Sequence, residues 1–108
     1  MNITMNKKEL SRVLSLATNN INKNPTLEVL TNIYLNVAGD TLTVISSDGD
    51  VSLEVKTNDI IEVKSEGSVL IDGKTITAAV SKLDGNINIA NKENQVIIDN
   101  TIAKYKLH

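Results

Sequence analysis

The chain has 108 residues and a formal net charge of −2, which suits one compact domain and gives no overall bias toward a polyanion. It has no cysteine, Phe or Trp, so disulfides, thiolate metal sites and cysteine nucleophiles are excluded, and Ile, Val and Leu must build the core around two tyrosines, Tyr34 and Tyr105. No stretch approaches the roughly 20 apolar residues of a membrane span, and no apolar run of signal-peptide length opens the chain, so a globular, cytoplasmic protein without a membrane partner is expected.

Ile3 and Met5 alternate with polar neighbours as a short strand. Asn6 follows in N-cap position with Glu9 three residues on, close to a capping-box arrangement. Leu10, Val13, Leu14 and Ala17 then recur at i, i+3, i+4 and i+7, the signature of one helical face, and the helix is expected to end near Asn19. The polar run through Pro25 reads as a loop. Three strands with period-two patterning follow: Ile33, Leu35 and Val37; Leu42 and Val44 after Gly39-Asp40; Val51, Leu53 and Val55 after Asp48-Gly49-Asp50. This half reads β-α-β-β-β.

The second half repeats that order. Residues 60–71 supply strand material broken at Glu66-Gly67, and Asp72 is placed to cap a helix with Ile76, Ala79, Val80 and Leu83 on one face. Asp84-Gly85 stops it. Short strands follow at Ile87 and Ile89, at Val96 and Ile98, and at Ala103, Tyr105 and Leu107. Lys8 aligns with Lys74, Leu10 with Ile76 and Leu14 with Val80 at a constant offset, so an internal duplication with halves of about 1–57 and 58–108 is the natural reading. The fold class is α+β, with two helices side by side on antiparallel sheets.

Charge is unevenly spread. Residues 6–19 and 73–83 each carry +2, which leaves −6 for the rest of a chain whose total is −2. At 100° per residue, Lys8, Arg12, Ser15 and Asn19 lie opposite the apolar stripe of the first helix. On the second helix Lys74, Ala78 and Ser81 take that place, with Lys82 on the flank. Basic faces of this kind can meet a polyanion, although an outward lysine is more often simply solvated, and charge alone does not name DNA. Sheets carrying the remaining acids would present an anionic outer side.

Other chemistry finds little support. Asp48-Gly49-Asp50 lacks the alternating ligands and closing Glu of a calcium loop and reads better as a hairpin turn. His108, the only histidine, ends the chain, a poor place for an oriented general base. Gly67 and Gly73 are isolated and form no phosphate loop, and Asp59, Glu62 and Glu66 read as soluble surface. No catalytic residue, metal or cofactor is expected, and the chain is not read as an enzyme; a small hydrolase would need a constellation these residues do not assemble.

Several segments together resemble the first domain of bacterial DNA polymerase III beta subunits, the beta sliding clamps. They are Lys8-Glu9-Leu10 with Val13-Leu14, the run from Asn24-Pro25-Thr26-Leu27 to Asn32-Ile33, Leu42-Thr43-Val44 with Ser47-Asp48, Asp72-Gly73-Lys74, Lys82-Leu83-Asp84-Gly85, and Lys104-Tyr105-Lys106-Leu107. Their order and spacing carry the resemblance, which spans essentially the whole chain.

The resemblance implies the DNA-clamp fold, in which three such domains per subunit and two subunits head to tail form a ring, helices lining the channel. It implies a non-catalytic processivity factor, an accessory subunit of a DNA polymerase. Lys8, Arg12, Lys74 and Lys82 would face duplex DNA, with Lys23 and Asn24 on a nearby loop; the family often has arginine where Asn24 stands. Lys104, Tyr105, Lys106 and Leu107 would meet the second subunit, while clamp loader and polymerase would bind through domains outside this chain. The competing reading is a non-catalytic α/β protein-interaction or structural domain that does not bind DNA.

Overall fold

The computed structural model describes residues 1–19 and 32–108. In chain order these form β1 (Asn2–Asn6), α1 (Lys7–Thr18), β2 (Asn32–Ala38), β3 (Thr41–Ser47), β4 (Ser52–Thr57), β5 (Glu62–Ser65), β6 (Gly67–Asp72), α2 (Gly73–Ser81), β7 (Asn86–Lys92), β8 (Gln95–Asp99) and β9 (Lys104–Leu107). The order β-α-β-β-β occurs twice, as expected, but β5 is an additional strand. The break at Glu66-Gly67 is a change of sheet, because β5 pairs with β1 and β6 pairs with β2.

Both sheets are antiparallel, with orders β5-β1-β7-β8-β9 and β4-β3-β2-β6. The first strand of each half therefore sits in the sheet of the other half: β1 beside β7, β6 beside β2. The halves are interlocked, and a division near residue 57 in sequence corresponds to no division in space. Alternation sets the register. Ile33, Leu35 and Val37 turn inward opposite Ile71, Val69 and Gly67, and Ile87 and Ile89 face inward beside Met5 and Ile3.

Each helix buries the predicted stripe, Leu10, Val13, Leu14 and Ala17 on α1 and Ile76, Ala79 and Val80 on α2, with Leu83 just beyond it. These join the inward strand residues in one core, where each fully buried aliphatic side chain contributes about 1.5–3 kcal/mol. Asn6 caps α1 through Lys8 N (2.8 Å) and Asp72 caps α2 through Thr75 N (2.9 Å).

Three expectations need correction. Glu9 closes no capping box; its carboxylate turns to Arg12 and Thr57 instead. Ala103 precedes β9 in an exposed turn, where its amide donates to Asn100 Oδ1 at 2.8 Å. The outer side of the sheets is not anionic either. Glu54, Glu62 and Asp99 on exposed or half-exposed strand positions are matched by Lys56, Lys64, Lys104 and Lys106, and the acids concentrate in turns and connections at Asp40, Asp48, Asp50, Asp59, Glu66, Asp84 and Glu93. Turns tolerate short acidic side chains because these bond their own backbone. Asp48 does so, accepting from Val51 N (2.7 Å) and Asp50 N (2.9 Å), which holds its carboxyl below the usual carboxylate range.

Candidate nucleic-acid interface

The two helices run antiparallel along a shared seam. At one end Lys7 N donates to Gly85 O (3.0 Å), and Lys7 Nζ reaches Ser81 O (3.0 Å) and Asp84 Oδ1 (3.3 Å). At the other, the Thr18 hydroxyl meets that of Thr77 (3.0 Å) and lies 3.5 Å from Gly73 O. Lys7 thus places its charge at the carbonyl end of α2, where a helix favours a cation. Both outward faces, Lys8, Arg12, Ser15 and Asn19 on α1 and Lys74, Ala78 and Ser81 on α2, are exposed.

Lys8 and Lys74 occupy matching places, the second residue after each N-cap. The amide end of a helix carries partial positive charge, so a lysine there gains nothing from its own helix. Neither forms an ion pair with any described residue, and both ammonium groups remain open to solvent. A local preference broken twice at equivalent positions is the kind of inconsistency that marks function.

The other predicted contacts differ. Arg12 Nε and Nη2 donate to Glu9 Oε1 (2.7 Å) and Oε2 (2.8 Å), a bidentate pair, and Oε2 also accepts from Thr57 Oγ1 at 2.5 Å. The Arg12 guanidinium, and after it the Thr57 hydroxyl, hold the Glu9 carboxyl down at about 2. Lys82 leans toward β9, its Nζ 5.9 Å from the centre of the Tyr105 ring. It lines a shallow groove with Lys74, Ala78, Tyr105 and Leu107, away from the seam between the helices. Lys23 and Asn24 lie outside the described residues.

β9 pairs only with β8 among the described residues and leaves its other edge open. Tyr105 and Leu107 pack against the core while Lys104 and Lys106 are exposed. The ties of Lys7 to Asp84 and of Glu9 to Thr57 lie beyond sequence reading, because they join residues 77 and 48 positions apart. The Glu9–Arg12 pair was within reach, since i and i+3 are neighbours on a helix.

The family description "DNA polymerase III beta subunit, N-terminal domain" matches residues 1–108. The chain belongs to that family. A Helicobacter pylori beta clamp bound to a DNA ligase peptide superposes on this beta-subunit domain with a TM-score of 0.90 at 26% identity, covering 99% of this chain and 30% of that one. The beta subunits of Pseudomonas aeruginosa, bound to griselimycin, and Streptococcus pyogenes give TM-scores of 0.90 and 0.89. At 21% identity, covering 99% of this chain and 29% of theirs, these two share the fold. No curated protein matches the chain. The beta-subunit domain described here thus spans about three tenths of the length of the solved clamps it superposes on. Among the described residues no helix is long and apolar enough to cross a membrane.

Proposed function

We propose that this chain acts as the first domain of a replication processivity clamp, a non-catalytic polymerase accessory that turns its helical surface to duplex DNA. The carrying observation is the antiparallel helix pair with Lys8 and Lys74 at equivalent exposed positions, neither in an ion pair with any described residue. Single ammonium groups contact phosphate without reading base edges, which requires bidentate geometry, and such contacts exchange easily. A ring retains DNA by closure, so weak and mobile contacts suit it.

Within this proposal Lys8 and Lys74 are the principal phosphate contacts. Arg12 is held in reserve, Lys82 stands between the DNA-facing surface and the β9 edge, and Lys23 and Asn24 keep the place the resemblance gives them. Lys104, Tyr105, Lys106 and Leu107 meet a second subunit, whose strand completes the open edge. Further domains, like those of the longer clamps, would hold loader and polymerase. A protein-binding role without DNA draws support from the outward row Ile45, Tyr34 and Leu70 on neighbouring strands, where Tyr34 and Leu70 are exposed.

Fluorescence anisotropy with a short labelled duplex at low salt separates the two. The wild-type chain is expected to bind weakly, with an affinity that falls about 0.9 log units per log unit of salt for each phosphate neutralised. The double change Lys8→Glu and Lys74→Glu is expected to abolish that binding, and equal binding by the two proteins would refute the DNA-facing assignment.

A further inference from the structure

We infer that Glu9 is a built-in counter-charge that withholds Arg12 from DNA and thereby sets how weakly the first helix grips the duplex. The inference rests on the DNA-facing reading of the helices. The Glu9–Arg12 pair differs from an ordinary surface ion pair in how firmly its acid is held. The Glu9 side chain is only 15% exposed against 54% for Arg12. Its Oε2 accepts from both Arg12 and Thr57, and the Thr57 hydroxyl in turn accepts from Asp59 N at 3.1 Å. Thr57 lies on β4 and is itself buried, so the carboxylate is anchored to the sheet while the guanidinium stays at the surface.

The surroundings reinforce the effect. Arg12 shares its hollow with Thr41, Lys56, Asn58 and Asp59. Lys56 is already matched by Glu54 at 3.2 Å, and the charge of Asp59 also acts on Arg12. An approaching phosphate would therefore meet a neutralised group with an additional acid beside it. Among the described residues Lys8 and Lys74 have no such partner.

The second helix offers an internal comparison. At the offset that matches Lys8 with Lys74, Arg12 corresponds to Ala78 and Glu9 to Thr75. Thr75 is engaged in the helix cap, through its amide and its hydroxyl to Asp72 Oδ2 (2.9 and 2.6 Å). The acid and the base are thus present together on α1 and absent together on α2. For a protein that slides, a guanidinium fully committed to phosphate would add a bidentate, longer-lived contact. Pairing it with an anchored carboxylate removes that hold while keeping the helix face hydrophilic.

The test is a double-mutant cycle in the same duplex titration, run over a series of salt concentrations. Glu9→Gln keeps the shape and an acceptor for Thr57 while removing the charge. It is expected to tighten binding several-fold at low salt and to steepen the log–log salt slope by about 0.9, one phosphate's worth. Arg12→Ala is expected to leave the slope nearly unchanged in the wild-type background, with a modest loss of affinity because the Glu9 carboxylate is left bare, and to cancel the whole gain in the Glu9→Gln background. Glu93→Gln, which removes a turn acid among neither helix residues nor Arg12 partners, is expected to leave the slope unchanged. The inference is overturned if Glu9→Gln leaves the slope where it was, if Glu93→Gln steepens it equally, or if Arg12→Ala alone flattens it by a full unit. Should Glu9→Gln fold poorly, that last measurement still decides. Weakening by Lys8→Glu and Lys74→Glu without strengthening by Glu9→Gln sinks this inference alone; no effect from either sinks the DNA-facing reading with it.

Discussion

The Thr18 and Thr77 hydroxyls meet at 3.0 Å across the seam between α1 and α2, half-buried. The two residues hold one end of an antiparallel pair whose other end is held by Lys7 and the carbonyl of Ser81. Replacing one by valine leaves its partner's hydroxyl facing a methyl group. Thr18→Val or Thr77→Val alone is therefore expected to cost about 1 kcal/mol, and the double change less than the sum of the two, because it leaves no unpaired hydroxyl. Urea denaturation of the three variants measures this. Strict additivity would show that the seam does not depend on the pair.

Gly67 is where the chain leaves one sheet for the other, with φ +141°, a conformation that side chains other than glycine's rarely adopt. A Cβ there would stand 2.9 Å from the backbone nitrogen of Met1, closer than the two atoms can approach without a shift. Gly67→Ala is expected to destabilise the fold by about 1–3 kcal/mol, visible as a lowered Tm. Gly39→Ala, at φ +61° with open space around it, should cost only about 1 kcal/mol. Equal losses at the two sites would mean that the crowding at Met1 has no energetic weight.

The contrast between these glycines shows what patterning can and cannot reveal. The apolar stripes of α1 and α2, their caps at Asn6 and Asp72, and the alternation of β2, β3, β7 and β8 were legible, because each is a local matter of period and backbone bonding. Pairing across the fold was not. Alternation at Ile3 and Met5 says that one face of β1 is buried, and it is silent on whether β2 or β7 lies alongside. Strand material on both sides of Glu66-Gly67 was legible too, but alternation could not tell that the break sends β5 to β1 and β6 to β2, in different sheets.

The candidate site follows the same division. Outward placement of Lys8, Arg12 and Lys74 came from the helical wheel, whereas the tie of Glu9 to Thr57, and of Lys82 to Tyr105, required the tertiary structure. The capping box failed at Glu9 because a guanidinium one turn on and a hydroxyl from β4 offer a carboxylate more than one backbone amide does.

The turn between β7 and β8 carries a defect that can be repaired. Lys92 and Gln95 are paired, so Glu93 and Asn94 form a two-residue loop, and Glu93 sits at φ +55°. Such loops favour Gly or Asn at positive φ, and a glutamate pays local strain there. Glu93→Asn is expected to raise stability by a few tenths to about 1 kcal/mol without changing the spectrum of the folded protein. Thermal unfolding followed by circular dichroism is sufficient, and a lowered Tm would show that the Glu93 side chain makes an offsetting contribution.

The Glu9 carboxylate should be visible in the acid limb of the stability curve. Its folded value of about 2 lies below the ordinary 4.5, so the folded state favours the ionised form. The stabilisation is then fully present above about pH 4.5 and is lost as pH falls from there through about 2. Asp48, whose carboxyl its backbone hydrogen bonds also hold below the usual range, contributes in the same direction, so wild-type stability alone cannot isolate the effect. The difference between wild type and Glu9→Gln can. That difference is expected to be about 1–2 kcal/mol at neutral pH, reduced from the full shift because Arg12 is half in solvent, and to shrink toward zero near pH 2. Urea titrations of both proteins across this range would measure it. A gap that stays constant with pH would mean that Glu9 stabilises the fold by shape and hydrogen bonding to Thr57, with no contribution from its charge.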